Sequence, residues 1–143
     1  MKSVSLNPRD WVDLLAAQAA LARAQLLVWI RRPGALLTPM VEAPAAPADP
    51  GAALQAECVA HAVSRAARHG LFRPSCLVRA VALHQMLQAR GLTGSSLRVG
   101  VRREGAAFLA HAWVDYRGMV LGEEEWHVKQ FEELARMGVP RTQ

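Results

Sequence analysis

The sequence predicts an α+β domain in which helices pack on a small antiparallel sheet. Apolar residues first recur at helical spacings of three and four, and from Leu97 onward they alternate with polar residues at strand spacing. Helices and strands therefore form separate blocks, the order typical of α+β domains. With 143 residues, of which 52% are apolar, the chain is long enough for one domain with a hydrophobic core and too short for two of ordinary size.

The first predicted element is an amphipathic helix that starts at Asn7-Pro8 and reaches about Ile30. Its apolar stripe includes Trp11 and Trp29 at helical spacing. Three polar residues interrupt the apolar stretch, and acidic residues stand where a signal peptide is basic, so the sequence favours neither a membrane span nor a signal peptide. We expect a soluble, cytoplasmic protein with reduced thiols.

Prolines mark the boundary of this helix. Five of the eight prolines lie in residues 33–50, and proline excludes both a helix interior and a central strand. We therefore predict three parts: an N-terminal helical arm of residues 1–32, a Pro/Ala-rich linker of residues 33–50, and a main domain of residues 51–143.

The main domain is predicted to begin with two helices. The first runs from Pro50 to His69 with Asp49 as its cap, and the second runs from Ser75 to Gly91. A strand meander follows, with a hairpin turn between its second and third strands. Helical spacing then predicts a short closing helix over residues 128–137.

The charge is unevenly distributed. The net charge is +5, yet residues 58–103 hold eight Arg and no acid, whereas residues 104–143 hold seven acids and four cations. A basic centre makes a nucleic-acid-binding or partner-binding domain without catalysis the alternative function. These arginines fall on two helices and a strand rather than on one recognition helix, and aromatic residues make up only 6% of the chain, so we do not expect nucleic acid as the partner.

The strongest candidate for chemistry is Cys76, in the first turn of the second helix of the main domain. The exposed N–H groups and positive dipole of a helix start stabilise a thiolate and an adjacent oxyanion. Two cysteines exclude a disulfide-dense scaffold, and Cys58 is expected to be a packing residue. Cys58 and His61 form at most half of a metal site, so no metal and no cofactor are expected. His84 and His127 are interpreted as packing or surface residues.

A histidine and an acid complete the candidate site. His111 lies mid-strand with Trp113 on the same face, and a Cys–His pair is the minimum machinery for nucleophilic acyl transfer. Asp115 is about 13 Å along the strand from His111, too far to orient the ring. A two-residue hairpin turn places Glu124 opposite His111, and one extra residue places Glu123 there instead.

These residues lie in segments that resemble the stand-alone leader peptidases of lasso-peptide biosynthesis in bacteria. Those enzymes belong to the transglutaminase-like branch of papain-type thiol proteases, and the similarity covers about residues 54–131. The matching segments are Cys76-Leu77-x-Arg79-Ala80, Leu87-x-x-Arg90-Gly91-Leu92, Leu97-Arg98-Val99-Gly100-Val101-Arg102 and His111-Ala112-Trp113-Val114.

The resemblance implies a hydrolase, a cysteine protease that removes the leader from a ribosomally synthesised precursor peptide. Its nucleophile corresponds to Cys76, its general base to His111, and its third residue, usually Asp, to Glu123. It also implies three partners: the precursor peptide, a small leader-recognition protein, and the ATP-dependent lasso cyclase of the same pathway. The implied fold is a transglutaminase-like core.

Overall fold

The computed structural model describes residues 7–31, 38–39 and 46–138. This part of the chain contains four helices and a five-stranded antiparallel sheet, with two of the helices packed on the sheet, and the α+β prediction is confirmed. The helices are α1 (Pro8–Ile30), α2 (Pro50–His69), α3 (Cys76–Ala89) and α4 (Glu125–Val128). The strands are β1 (Thr38–Pro39), β2 (Ser95–Glu104), β3 (Ala107–Tyr116), β4 (Met119–Leu121) and β5 (Glu132–Gly138), in the sheet order β1-β5-β2-β3-β4.

Side-chain caps explain where α2 and α3 begin. The Asp49 carboxylate accepts a hydrogen bond from the Ala52 N–H at 3.1 Å, and the Ser75 hydroxyl accepts one from the Val78 N–H at 3.4 Å. Both helices match their predicted positions. The cap at Ser75 makes Cys76 the first residue of α3.

Helix α1 packs against α2 and α3 through a narrow stripe of small and branched residues. Ala17, Leu21 and Ala24 are fully buried. An ion pair of 2.6 Å between Asp13 and Arg90 joins α1 to the end of α3. The division into an arm, a linker and a main domain stays a prediction, and most of the linker lies outside the described residues.

By length and composition, α1 is the one helix of the described residues that is apolar enough to cross a membrane. The core helix of a soluble protein passes the same test, and so does a signal sequence. The buried stripe of α1 lies in the same hydrophobic core as α2 and α3, and 17% of its apolar window is buried.

The hairpin of β3 and β4 has the predicted two-residue turn. Arg117 and Gly118 have φ values of 50° and 89°, and the turn pairs Tyr116 with Met119. Two successive positive φ values match the twist of a tight hairpin.

The end of the chain differs from its prediction. The closing helix predicted over residues 128–137 is wrong, because residues 132–138 form β5, which pairs with β2. Met137 lies opposite Leu97, and Ala135 lies opposite Val99. The backbone hydrogen bonds of this segment with the edge of β2 therefore outweigh its helix propensity, which comes from its Glu, Leu and Ala residues.

Gly100 lies where three groups crowd the sheet. A Cβ atom there would be 2.9 Å from the Glu132 carbonyl oxygen and 3.0 Å from both the Phe131 Cβ and the Trp113 ring. We expect Gly100→Ala to lower the free energy of unfolding by about 1–3 kcal/mol, measured by urea denaturation. Gly51→Ala is the matched control, since its nearest neighbour is a flexible Asp side chain; equal stability of the two variants would contradict the prediction.

Candidate active site

Cys76 lies at the start of α3 against the middle of β3. A hydrogen bond with His111 lowers the pKa of the Cys76 thiol. Partial burial opposes this shift, while the backbone N–H groups of Ala112 and Leu77 and the charge of His111 reinforce it. The pKa falls overall, so the sulfur is held as a thiolate more readily than a free cysteine.

His111 occupies β3 between the thiol and a carboxylate. Its Nε2 lies 2.6 Å from Oε2 of Glu123. Hydrogen bonds with Cys76 and then Glu123 raise the pKa of His111 to about 9, against the opposing effect of burial. Because Nε2 is engaged by Glu123, the nitrogen left for the thiol is Nδ1. An imidazolium therefore bridges two anionic partners.

The register of the hairpin explains why Glu123 rather than Glu124 reaches His111. Val114 pairs with Leu121, and continuing this ladder would place Glu124 opposite His111. The ladder ends at Leu121, however, and Gly122 has a φ of 75°, which turns the chain out of the strand. Glu123 is thereby directed at His111.

The carboxyl of Glu123 is ionised in this environment. Its pKa is lowered overall: burial raises it, and the hydrogen bond and charge of His111 lower it. A hydrogen bond with His127 and the charge of Arg79 lower the pKa further. The side chains of His111 and Glu123 are each 14% exposed, so their ion pair is largely screened from solvent.

Aromatic rings hold the His111 imidazole in place. Trp113 stacks on it with ring centroids 6.1 Å apart, which confirms that the two residues share a face. Phe131, which the sequence did not indicate, lies 5.0 Å from it on the segment leading into β5.

His127 is the site neighbour that the sequence analysis missed. Its Nδ1 lies 3.3 Å from Oε2 of Glu123, and its ring centroid lies 5.2 Å from that of His111. Glu123 lies just before α4 and His127 lies within it, and the spacing of four residues brings the two side chains together. That spacing was the signal in the sequence.

The other candidate residues lie elsewhere. Cys58 is exposed, so its predicted packing role is wrong. His84 is fully buried and hydrogen-bonded to Ser95 and Gln88, in agreement with a packing role. Asp115 accepts a hydrogen bond from the backbone N–H of the turn and pairs with an arginine of β2, so it does not orient His111.

A groove leads away from the site along α2 and β4. It has a volume of about 450 Å³ and reaches Glu123 at one end. Charged residues of both signs line it, among them Glu57, Arg68 and Glu124. Its lining includes Glu123 but neither Cys76 nor His111.

Acids neutralise several arginines of the basic centre. The pairs are Arg90 with Asp13, Arg98 with Asp115 and Glu133, and Arg102 with Glu104. Arg98 is only 16% exposed. These three of the eight arginines in residues 58–103 are therefore poorly placed to bind phosphates.

Comparison with known proteins agrees with this geometry. The model of the transglutaminase-like superfamily matches residues 15–136. No curated protein and no solved structure matched the chain. Members of this superfamily are commonly cysteine peptidases or transglutaminases, a chemistry that suits a thiol beside a histidine. Because the match spans most of the chain, the protein belongs to the transglutaminase-like superfamily.

Proposed function

We propose that the protein is a cysteine peptidase that removes the leader from a ribosomally synthesised lasso-peptide precursor in the cytoplasm. The observation that carries the proposal is the continuous contact from Cys76 through His111 to Glu123 at the start of a helix. The choice of precursor rests on the resemblance of the sequence segments around these residues.

The proposed reaction follows from these contacts. The Cys76 thiolate attacks the carbonyl at the junction of leader and core, and N–H groups of the first turn of α3 stabilise the oxyanion. His111 then protonates the departing amine, and Glu123 holds the ring in position. Water, deprotonated by His111, hydrolyses the thioester and releases the leader.

An open edge of the sheet supports an extended peptide as the substrate. Among the described residues, β4 pairs only with Val114, Asp115 and Tyr116, and residues 107–113 of β3 extend beyond it. The hydrogen bond from the Ala112 N–H to the Cys76 sulfur shows that this side of β3 faces the nucleophile. A peptide that adds to this edge as a strand would carry its backbone past the thiol.

Cleavage of a candidate precursor tests the proposal. We expect the wild-type protein, with its leader-recognition partner, to cut once at the junction, and Cys76→Ala to show no cleavage above background in mass spectrometry. Leu71→Ser, a change at an exposed loop residue, is the control and is expected to cleave the precursor like the wild type. Undiminished cleavage by Cys76→Ala would show that the thiol is not the nucleophile.

We further propose that the leader-recognition protein docks on the outer face of α1, and that the trimmed peptide passes to the ATP-dependent cyclase. Opposite the buried stripe, α1 exposes large apolar side chains, including Trp11 (52% exposed) and Trp29 (76% exposed). Exposed tryptophans on one face are typical of interaction surfaces.

Substitution on this face tests the docking surface. We expect Trp29→Ser to weaken binding of the partner by about 30-fold, because a tryptophan anchor is worth about 2 kcal/mol, and to leave the fold intact. Calorimetric titration measures the affinity, with Leu71→Ser as the control at an exposed apolar residue outside α1. Equal affinities for Trp29→Ser and the control would place the partner elsewhere.

A further inference from the structure

Three side chains of metal-binding type converge beside the nucleophile. His111, Glu123 and His127 each offer one donor atom, and these atoms lie within 4.8 Å of one another. Glu123 Oε2 is 2.6 Å from His111 Nε2 and 3.3 Å from His127 Nδ1. Ligand atoms around tetrahedral zinc are about 3.3 Å apart, so shifts of the order of 1 Å would admit a metal ion.

We propose that His111, Glu123 and His127 form an inhibitory site for a divalent transition metal of the zinc class. Two imidazole nitrogens and one carboxylate oxygen suit zinc, whereas calcium and magnesium prefer oxygen donors throughout. Three protein ligands leave a fourth position for water, as in zinc sites that keep an open coordination position. Inhibition rests on the proposed function, but binding of the metal does not.

The surroundings fix the two imidazoles before any metal binds. The Phe131 ring lies 5.0 Å from that of His111 and 5.6 Å from that of His127, and Trp126 packs 5.8 Å from His127. His127 is 39% exposed, so a metal ion can reach the cluster from its side. Ligands held by packing lose little entropy on coordination.

The metal would act on His111 without touching the thiol. It would bind the Nε2 lone pair and Oε2 of Glu123, and the proton between them would pass to solvent. His111 would keep its proton on Nδ1, and as a metal-bound ring it would be a poor acid toward the departing amine. The sulfur of Cys76 would stay free to react with an alkylating reagent.

Calorimetric titration with zinc alone tests the binding. We expect one ion to bind the wild type and Cys76→Ser, and the affinity to fall at least about 100-fold in His127→Phe. His69→Phe, at an exposed histidine in the last turn of α2, is the matched control with unchanged affinity. The site would be overturned if His127→Phe bound zinc as tightly as the wild type, or if Cys76→Ser did not bind zinc. Glu123→Gln is also expected to weaken binding, and it replaces His127→Phe if that variant does not fold.

A second measurement separates this site from metal bound to the thiolate. With zinc present, we expect precursor cleavage to stop while iodoacetamide still labels Cys76, and a chelator to restore cleavage. Blocked labelling would place the metal on the sulfur and overturn the proposal. If zinc binds as expected but the metal-free protein cleaves no precursor, the site stands and the proposed peptidase function fails.

Discussion

Replacing His111 by Gln will reduce precursor cleavage roughly 10³–10⁴-fold. Gln fills a similar space but accepts no proton from the thiol and gives none to the departing amine. The hydrogen bond with His111 is the largest cause of the lowered Cys76 pKa, so the pKa will also rise. Alkylation by iodoacetamide near pH 6.5 will slow about tenfold for each unit of that rise.

The two measurements separate two roles of His111. Cleavage requires both the thiolate and proton transfer to the leaving group, whereas alkylation requires only the thiolate. At pH above 9.5 we therefore expect alkylation of the variant to approach the wild-type rate while cleavage stays defective. His69→Gln is the control for loss of an exposed histidine. Wild-type alkylation rates for His111→Gln at pH 6.5 would show that the thiol is not activated by this ring.

Replacing Glu123 by Gln will shift the alkaline limb of the activity profile to lower pH. The hydrogen bond and the charge of Glu123 are two of the causes that raise the pKa of His111 to about 9. Activity requires the protonated ring, so in the wild type it is lost as the pH rises through about 9. The hydrogen bond with Cys76, the largest cause of the raised pKa, remains in this variant, whereas the charge of residue 123 is removed, so the loss begins below pH 9.

The raised pKa of His111 also makes the stability of the fold depend on pH. A raised folded-state pKa stabilises the fold fully below pH 6.5, and this contribution disappears as the pH rises through about 9. Glu123→Gln should therefore lose more stability at pH 6 than at pH 10 in urea denaturation. The profile of kcat/KM between pH 5 and 10 measures the shift of the alkaline limb. Glu124→Gln, one residue away, is the control. If the alkaline limb of the kcat/KM profile lay at the same pH in Glu123→Gln and Glu124→Gln, Glu123 would not be the residue that positions His111.

Local chemistry made much of this fold predictable. The cap at Ser75 and the proline before it define the start of α3, and this start places Cys76 where a thiolate is stabilised. Alternating apolar residues likewise predicted β2 and β3, and with them the position of His111 on a strand.

Tertiary contacts decided what the sequence left open. Both Glu123 and Glu124 were compatible with the hairpin as partners of His111. Which of them contacts His111 depends on the positive φ of Gly122, which no neighbouring residue indicates. Cys58 was predicted to be a packing residue because cysteine is apolar, yet it is exposed on α2. Phe131 directly precedes β5, which pairs with β2, and helical periodicity at the end of the chain conceals this arrangement.

The sheet order also bears on the sequence of events in folding. Strands β2, β3 and β4 are neighbours in both the chain and the sheet, so Cys76, His111 and Glu123 can meet through short loops that close quickly. The strand β5 adds on the far side of β2, and the segment before it carries Phe131 to the His111 ring. Cys76 and His111 would thus come together early, and the contact of Phe131 with the His111 ring would form last, when the end of the chain docks.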